Sequence, residues 1–98
     1  MDQLTKELQS LLVKLHYEPE SVAHHTVHQL EHLFHLLNVE DEEALLHYFG
    51  ILGREQKGLS DIAREKGLSD VETMEAIDIC LRKLAVTPEW QIIKSGKQ

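Results

Sequence analysis

The sequence predicts an all-α fold of about five helices, and three observations lead to this prediction. Apolar residues recur at three- and four-residue spacing in successive segments, which is typical of helices that bury one face. The chain contains 5 Gly and 2 Pro, so long loops are not expected. In the second half, Gly67 and Ser69 mark the end of one helix and the start of the next.

The expected organisation is a single small domain, because 98 residues bury a core of modest size. Hydrophobic residues make up 42% and charged residues 28% of the chain, as in ordinary globular proteins. We expect residues 2–37 to form a helical hairpin, residues 41–84 a helix-turn-helix unit, and residues 85–98 a C-terminal tail.

The first helix is predicted over residues 2–16. Five leucines lie on one side of it: Leu4, Leu8, Leu11, Leu12 and Leu15. The helix should end before Pro19, since the residue preceding a proline is disfavoured in the helical conformation. We interpret this helix as packing on the core. The alternative is a leucine-rich seam that joins two copies in a homodimer.

The second helix is predicted over residues 19–37, with Pro19 and Glu20 in its first turn. Its apolar stripe is formed by Val22, Thr26, Leu30, Leu33 and Leu37. The opposite side is almost entirely histidine: His24, His25, His28, His32 and His35. Side chains three or four residues apart can meet on a helix surface. The segment therefore carries a histidine face.

Three interpretations of the histidine face remain open. Neutral imidazoles one turn apart can bind zinc or nickel, with these predicted ligands: His24, His28, His32 and His35. Glu31 is a candidate oxygen ligand beside His35. A second interpretation is a pH-sensitive surface, because histidine changes charge in mild acid. The third, which we prefer, is a solvated polar face opposite an apolar stripe.

The third helix is expected to start near residue 41, capped by Asn38 or Asp41. It carries a dense apolar set: Ala44, Leu45, Leu46, Tyr48, Phe49, Ile51 and Leu52. This composition predicts a central place in the core, followed by a loop over residues 53–58.

The segment 58–84 predicts a short helix, a tight turn and a longer helix. Gly67 favours a helix end, because glycine enters the left-handed region without a steric penalty. Ser69 and Glu72 then form a capping-box sequence that starts the longer helix. That helix has one apolar stripe: Thr73, Met74, Ile77, Cys80, Leu81 and Leu84. Small Ala63 suits the point where the two helices cross, so the segment is interpreted as a helix-turn-helix.

Residues 45–84 resemble region four of bacterial primary sigma factors. The stretch LLHYFGILGREQKGLSDIAREKGLS is similar to that region's first helix, loop, supporting helix and turn. Residues 80–84, CLRKL, stand where the family carries ALRKL. The resemblance implies a transcription-related helix-turn-helix protein whose partner is RNA polymerase or a sigma factor. Two features depart from the family. Lys66 occupies a turn position that is normally apolar, and the reading helix carries Asp70, Val71, Glu72, Met74, Glu75 and Asp78.

Charge decides between the functions that this resemblance allows. The formal net charge is −7, whereas a DNA-binding protein must neutralise phosphates with Lys and Arg. We therefore expect a non-enzymatic regulatory or adaptor protein that acts through protein contacts. The expected contact residues lie on the outer side of the long helix: Val71, Glu72, Glu75, Ile79 and Arg82. The alternative is sequence-specific DNA binding through a basic patch formed by Arg54, Lys57, Arg64, Lys66, Arg82 and Lys83.

No sequence pattern indicates an enzyme: we find no Gly-rich phosphate loop, nucleophile elbow or paired-cysteine motif. Cys80 lies on an apolar stripe and is predicted to be an inert core thiol. One cysteine, no secretory pattern and no apolar run near the ~20 residues that span a bilayer favour a cytoplasmic location without membrane contact.

The C-terminal tail is expected to contain one more short helix. Thr87 and Pro88 are suited to starting it. The apolar residues that follow either close the core, which we prefer, or mark a contact surface: Trp90, Ile92 and Ile93. Residues 94–98 are expected to be disordered.

Overall fold

The computed structural model describes residues 3–96, which form six α-helices and no strand. The helices are α1 (Gln3–Tyr17), α2 (His24–Phe34), α3 (Val39–Phe49), α4 (Leu59–Lys66), α5 (Asp70–Ala85) and α6 (Pro88–Ser95). A single 3₁₀ turn, Pro19–Ser21, lies between α1 and α2. The all-α prediction is confirmed, with one helix more than expected. Across the described residues, no helix has both the length and the apolar content that crossing a bilayer requires.

Helix α5 lies at the centre of the fold and packs against α1, α3, α4 and α6. The side chains it buries are Thr73, Ile77, Cys80, Leu81, Leu84 and Ala85. They follow the three- and four-residue spacing of a single helix face, so the apolar stripe seen in the sequence becomes the middle of the core. Met74 is partly buried at its edge.

The two N-terminal helices pack mainly against the C-terminal half of the chain rather than against each other. Helix α1 lies along α5, and α2 lies against α6. Leu8 and Leu12 of α1 are completely buried, and Leu15 is nearly so. These three leucines are therefore part of this chain's own core, as the packing interpretation expects, and Leu11 is partly buried against it. The expectation fails for Leu4, which is 50% exposed near the start of the helix. Asp2, which the sequence placed in the first helix, is outside the described residues.

The prediction of one helix over residues 19–37 is wrong at both ends. After the 3₁₀ turn, Val22 (φ −100°, ψ 125°) and Ala23 (φ −61°, ψ 145°) are extended, and α2 begins at His24. The Ser21 N–H and hydroxyl both donate to the Glu18 carbonyl, at 2.9 and 2.7 Å. The Val22 N–H donates to the Pro19 carbonyl at 3.2 Å and ends the turn. The extended path that follows lets β-branched Val22 pack on the core.

At its other end, α2 stops at Phe34, three residues earlier than expected. The N–H groups of Leu36 and Leu37 donate to carbonyls three residues back, at 3.1 and 3.0 Å, so the last turn tightens. Leu37 is still buried, but it reaches the core from this turn. Asn38 then caps α3: its side-chain oxygen accepts from the Asp41 N–H at 2.8 Å. Of the two capping candidates, Asn38 takes the role.

Helix α3 ends at a crowded glycine. Gly50 adopts a left-handed conformation (φ 66°), and its N–H donates to the Leu46 carbonyl at 2.8 Å. Its own carbonyl lies 2.8 Å from Nδ1 of His16, which ties the end of α1 to the end of α3. Ile51 follows the helix and is buried, so the central role expected of this segment extends beyond α3 itself.

Helix α6 begins as predicted and closes one side of the core. The Thr87 hydroxyl accepts from the Trp90 N–H at 3.1 Å, with Pro88 at the first helical position. Trp90 and Ile93 are buried, whereas Ile92 is 50% exposed. The expectation for Ile92 is wrong because adjacent positions on a helix face different directions.

The expected disorder over residues 94–98 is also wrong where the structure describes that segment. Lys94 and Ser95 belong to α6, and Lys94 Nζ lies 3.3 Å from Glu7 Oε1 of α1. This contact joins α6 to the outer side of α1. Lys97 and Gln98 are outside the described residues.

Replacing Gly50 by alanine should destabilise the protein for two separable reasons. An added Cβ would lie 2.6 Å from Gln56 Cβ and 2.9 Å from His16 Nδ1, in a backbone with φ +66°. At Gly53, φ is +82° but an added Cβ would meet nothing within 4 Å. Gly53→Ala therefore measures the left-handed backbone cost alone, about 1–2 kcal/mol.

We expect Gly50→Ala to lower the free energy of unfolding by about 1–3 kcal/mol more than Gly53→Ala does, because of overpacking. Urea denaturation followed by circular dichroism measures both variants. Equal losses would show that the contacts around Gly50 relax without cost.

Candidate functional site

The helix-turn-helix unit positions the surface that the sequence singled out. At the end of α4, Gly67 is left-handed (φ 71°) and its N–H donates to the Arg64 carbonyl at 3.2 Å. The next N–H, of Leu68, donates to the Ala63 carbonyl at 2.9 Å, which completes a Schellman motif. Ala63 is buried, and α4 packs against α5. The turn therefore fixes the direction in which α5 leaves α4.

The capping box predicted at the start of α5 is present. The Ser69 hydroxyl accepts from the Glu72 N–H at 3.1 Å, and the Glu72 carboxylate accepts from the Ser69 N–H at 2.9 Å. The bond from the Ser69 backbone holds the pKa of Glu72 below its ordinary value. One of the five predicted contact residues therefore already uses its carboxylate inside the domain.

A second acidic residue of this helix also makes an internal contact. The Ser60 hydroxyl on α4 donates to Asp70 Oδ2 at 2.7 Å. Asp70 and Glu72 both lie in the first turn of α5, where negative charge stabilises the helix dipole. The acidic start of α5 is thus explained by local structure, whatever else it contacts.

Four of the predicted contact residues form one continuous strip on α5. We call Val71, Glu75, Ile79 and Arg82 the outer face; their spacing of four, four and three residues keeps them in line. All four are exposed, and the apolar members Val71 and Ile79 have 67% and 52% of their surface in solvent. Glu72 is also exposed but lies beside this line.

The sequence interpretation missed one residue of this surface. Val86 follows Arg82 by four residues and is 64% exposed, so it continues the outer face past the end of α5. The same spacing rule would have found it, but the residue was assigned to the tail. Leu68, in the turn before α5, is also exposed.

Charge is distributed unevenly along α5. Its first turn is acidic and its last turn carries Arg82 and Lys83. Along the outer face, apolar and charged residues therefore alternate, with acidic Glu75 nearer the start of the helix and basic Arg82 nearer its end. Such an arrangement suits a partner with complementary charges at the two ends.

The basic patch required for DNA binding is partly neutralised by internal pairs. Arg54 Nε donates to Glu43 at 3.1 Å, and this bond holds the pKa of Glu43 below its ordinary value. Lys57 Nζ lies 2.8 Å from Glu65 Oε2, and Arg64 lies 3.4 Å from Asp61. These three cations therefore face carboxylates of their own chain.

The histidine face is solvent-exposed, but its predicted four-ligand set does not assemble. His28 and His32 meet, with 3.2 Å between their Nε2 atoms, whereas His35 Nδ1 lies 3.2 Å from Glu42 Oε2 of α3. Within residues 3–96, no group of three or more His, Cys, Asp or Glu side chains is placed to hold a metal ion. The reason is geometric: the ligands from His24 to His35 are spread over several turns of 5.4 Å each, so neighbours meet in pairs. Glu31 lies by His28 rather than by His35.

Cys80 is buried on the inner side of α5, as the sequence predicted. Desolvation by burial raises the pKa of its thiol to about 11. The thiol is therefore protonated at neutral pH, which makes it a poor nucleophile.

No known protein family, curated protein or solved structure matches this chain. The similarity of residues 45–84 to sigma region four stays a prediction that rests on the residues themselves.

Two substitutions distinguish a residue that caps α5 from a residue on its exposed surface. Ser69→Ala removes an N-cap and should lower the free energy of unfolding by about 1 kcal/mol. Glu75→Ala, on the outer face, should change it by about 0.5 kcal/mol or less. Chemical denaturation measures both. A loss at Glu75 as large as that at Ser69 would show that Glu75 supports the fold and is not reserved for a contact.

Proposed function

We propose that this is a non-enzymatic regulatory or adaptor protein that acts through protein–protein contacts made by the outer face of α5. The observation that carries the proposal is the pair Val71 and Ile79, exposed on one side of a helix whose opposite side is the core. The transcription setting, with RNA polymerase or a sigma factor as partner, rests on the resemblance over residues 45–84. A cytoplasmic setting belongs to the same proposal, since the single cysteine is a free thiol.

The composition of the outer face fits a protein contact. Protein interfaces combine an apolar centre with a polar rim, and here Ile79 lies between Glu75 and Arg82. Covering exposed apolar surface contributes about 25 cal/mol per Å². The charged neighbours add orientation and selectivity more than affinity.

The support beneath the outer face also favours recognition. Helix α5 is held by four other helices, and both of its ends are hydrogen-bonded. A surface on such a helix needs little ordering when a partner binds, so binding loses less conformational entropy. The outer face is in this sense preorganised.

Sequence-specific DNA binding is the alternative, favoured by the helix-turn-helix arrangement of α4 and α5. The side chains at the start of α5 argue against it. Major-groove reading needs donors such as Arg or Asn near the start of the second helix, where this chain has Asp70, Val71 and Glu72.

We expect the protein not to shift the mobility of DNA in a low-salt gel assay. Binding that weakens steeply with added salt would instead favour DNA as the partner.

The double variant Glu75→Arg, Ile79→Ala should weaken partner binding while leaving the domain folded. It reverses one charge and removes one apolar contact, a combination expected to cost about tenfold or more in affinity. Binding is measured on purified bacterial RNA polymerase and primary sigma factor, and by low-salt pull-down from a lysate of the source cell. Circular dichroism checks the fold.

The matched control is Glu18→Arg with Ile92→Ala. It makes the same changes of charge and volume at exposed residues that do not belong to α5, and Ile92 is about as exposed as Ile79. Partner binding should survive in this control. Equal binding by both double variants would remove the outer face from the proposal.

A further inference from the structure

The closest approach between titratable side chains on α2 is the pair His28 and His32. Their Nε2 atoms are 3.2 Å apart and their rings meet edge to face at 87°. We propose that these two histidines form a chelate for a late first-row transition metal ion, of the zinc, nickel or copper class. The proposal uses a different helix from the outer face and does not depend on the function proposed above.

The distance between the two nitrogen atoms fits a shared ion. A tetrahedral zinc with bonds of about 2.0–2.1 Å holds two ligand nitrogens about 3.3 Å apart. The observed Nε2–Nε2 separation of 3.2 Å is close to that distance, and rotation of the two rings must direct both lone pairs at the ion. Both residues lie on a regular helix, four positions apart, so the backbone already supplies the spacing.

A carboxylate lies close to the pair. Glu31 Oε1 lies 3.5 Å from Nδ1 of His28, on the far side of that ring. A proton on Nδ1 facing Glu31 leaves Nε2 of His28 with a free lone pair, the arrangement in which a carboxylate orients a metal-binding histidine. The 3.2 Å between the two Nε2 atoms is also a hydrogen-bond distance, in which one Nε2 carries the proton. Metal binding requires that proton to move to Nδ1 of the same ring, with no change in net protonation.

The surroundings define what kind of site this is. The His28 side chain is 72% exposed, so the remaining coordination positions are open to water. His35 is directed toward Glu42 of α3 and leaves the pair as a two-ligand site. Imidazole nitrogen selects zinc, nickel and copper over magnesium and calcium, which prefer oxygen.

Calorimetry on the untagged protein with zinc, nickel and copper ions tests the proposal, together with retention on immobilised nickel. A chelate needs both rings, so His28→Ala and His32→Ala should each lose as much binding as the double variant. Glu31→Gln should weaken binding about tenfold while keeping both ligands. Magnesium should give no heat, because it prefers oxygen ligands.

The matched control is the double variant His24→Ala, His25→Ala, which removes two histidines outside the proposed chelate. These are also exposed histidines of α2, and removing them should leave affinity unchanged. Losses that simply add from one histidine to the next, or an equal loss in this control, would show independent weak ligands and overturn the chelate. Circular dichroism confirms that each variant keeps its helices.

Discussion

Burial of the inner side of α5 is the interaction on which the rest of this structure depends. Four other helices pack against this one helix, and six of its side chains are withdrawn from water. Since apolar burial is the main driving force of folding, the position of α5 fixes where the other helices can lie. It also determines, by exclusion, which side chains remain available to solvent.

Local signals predicted the helix-turn-helix accurately because they are satisfied within a few residues. The Ser69–Glu72 capping box and the left-handed Gly67 need no distant partner, and the structure has both. The same holds for the Thr87 cap of α6. The apolar stripe of α5 was equally readable, because its period alone identifies the buried side.

The errors arose where local and distant interactions compete. Pro19 and Glu20 are good residues for a helix start, but here they form only one 3₁₀ turn. Val22 follows in an extended conformation that lets its side chain pack on the core. Sequence periodicity also identified the histidine face without showing which pair would meet. That outcome depends on contacts such as Glu42 with His35, which come from another helix.

The docking of α2 on α6 has a consequence for the order in which the chain acquires structure during synthesis. Helix α2 emerges from the ribosome early, but the surface that covers it belongs to residues 88–95. Until those residues appear, Leu30, Leu33 and Phe34 have no complete shelter. Burial of these side chains therefore depends on a contact between segments far apart in the sequence, and such non-local contacts form more slowly than local ones.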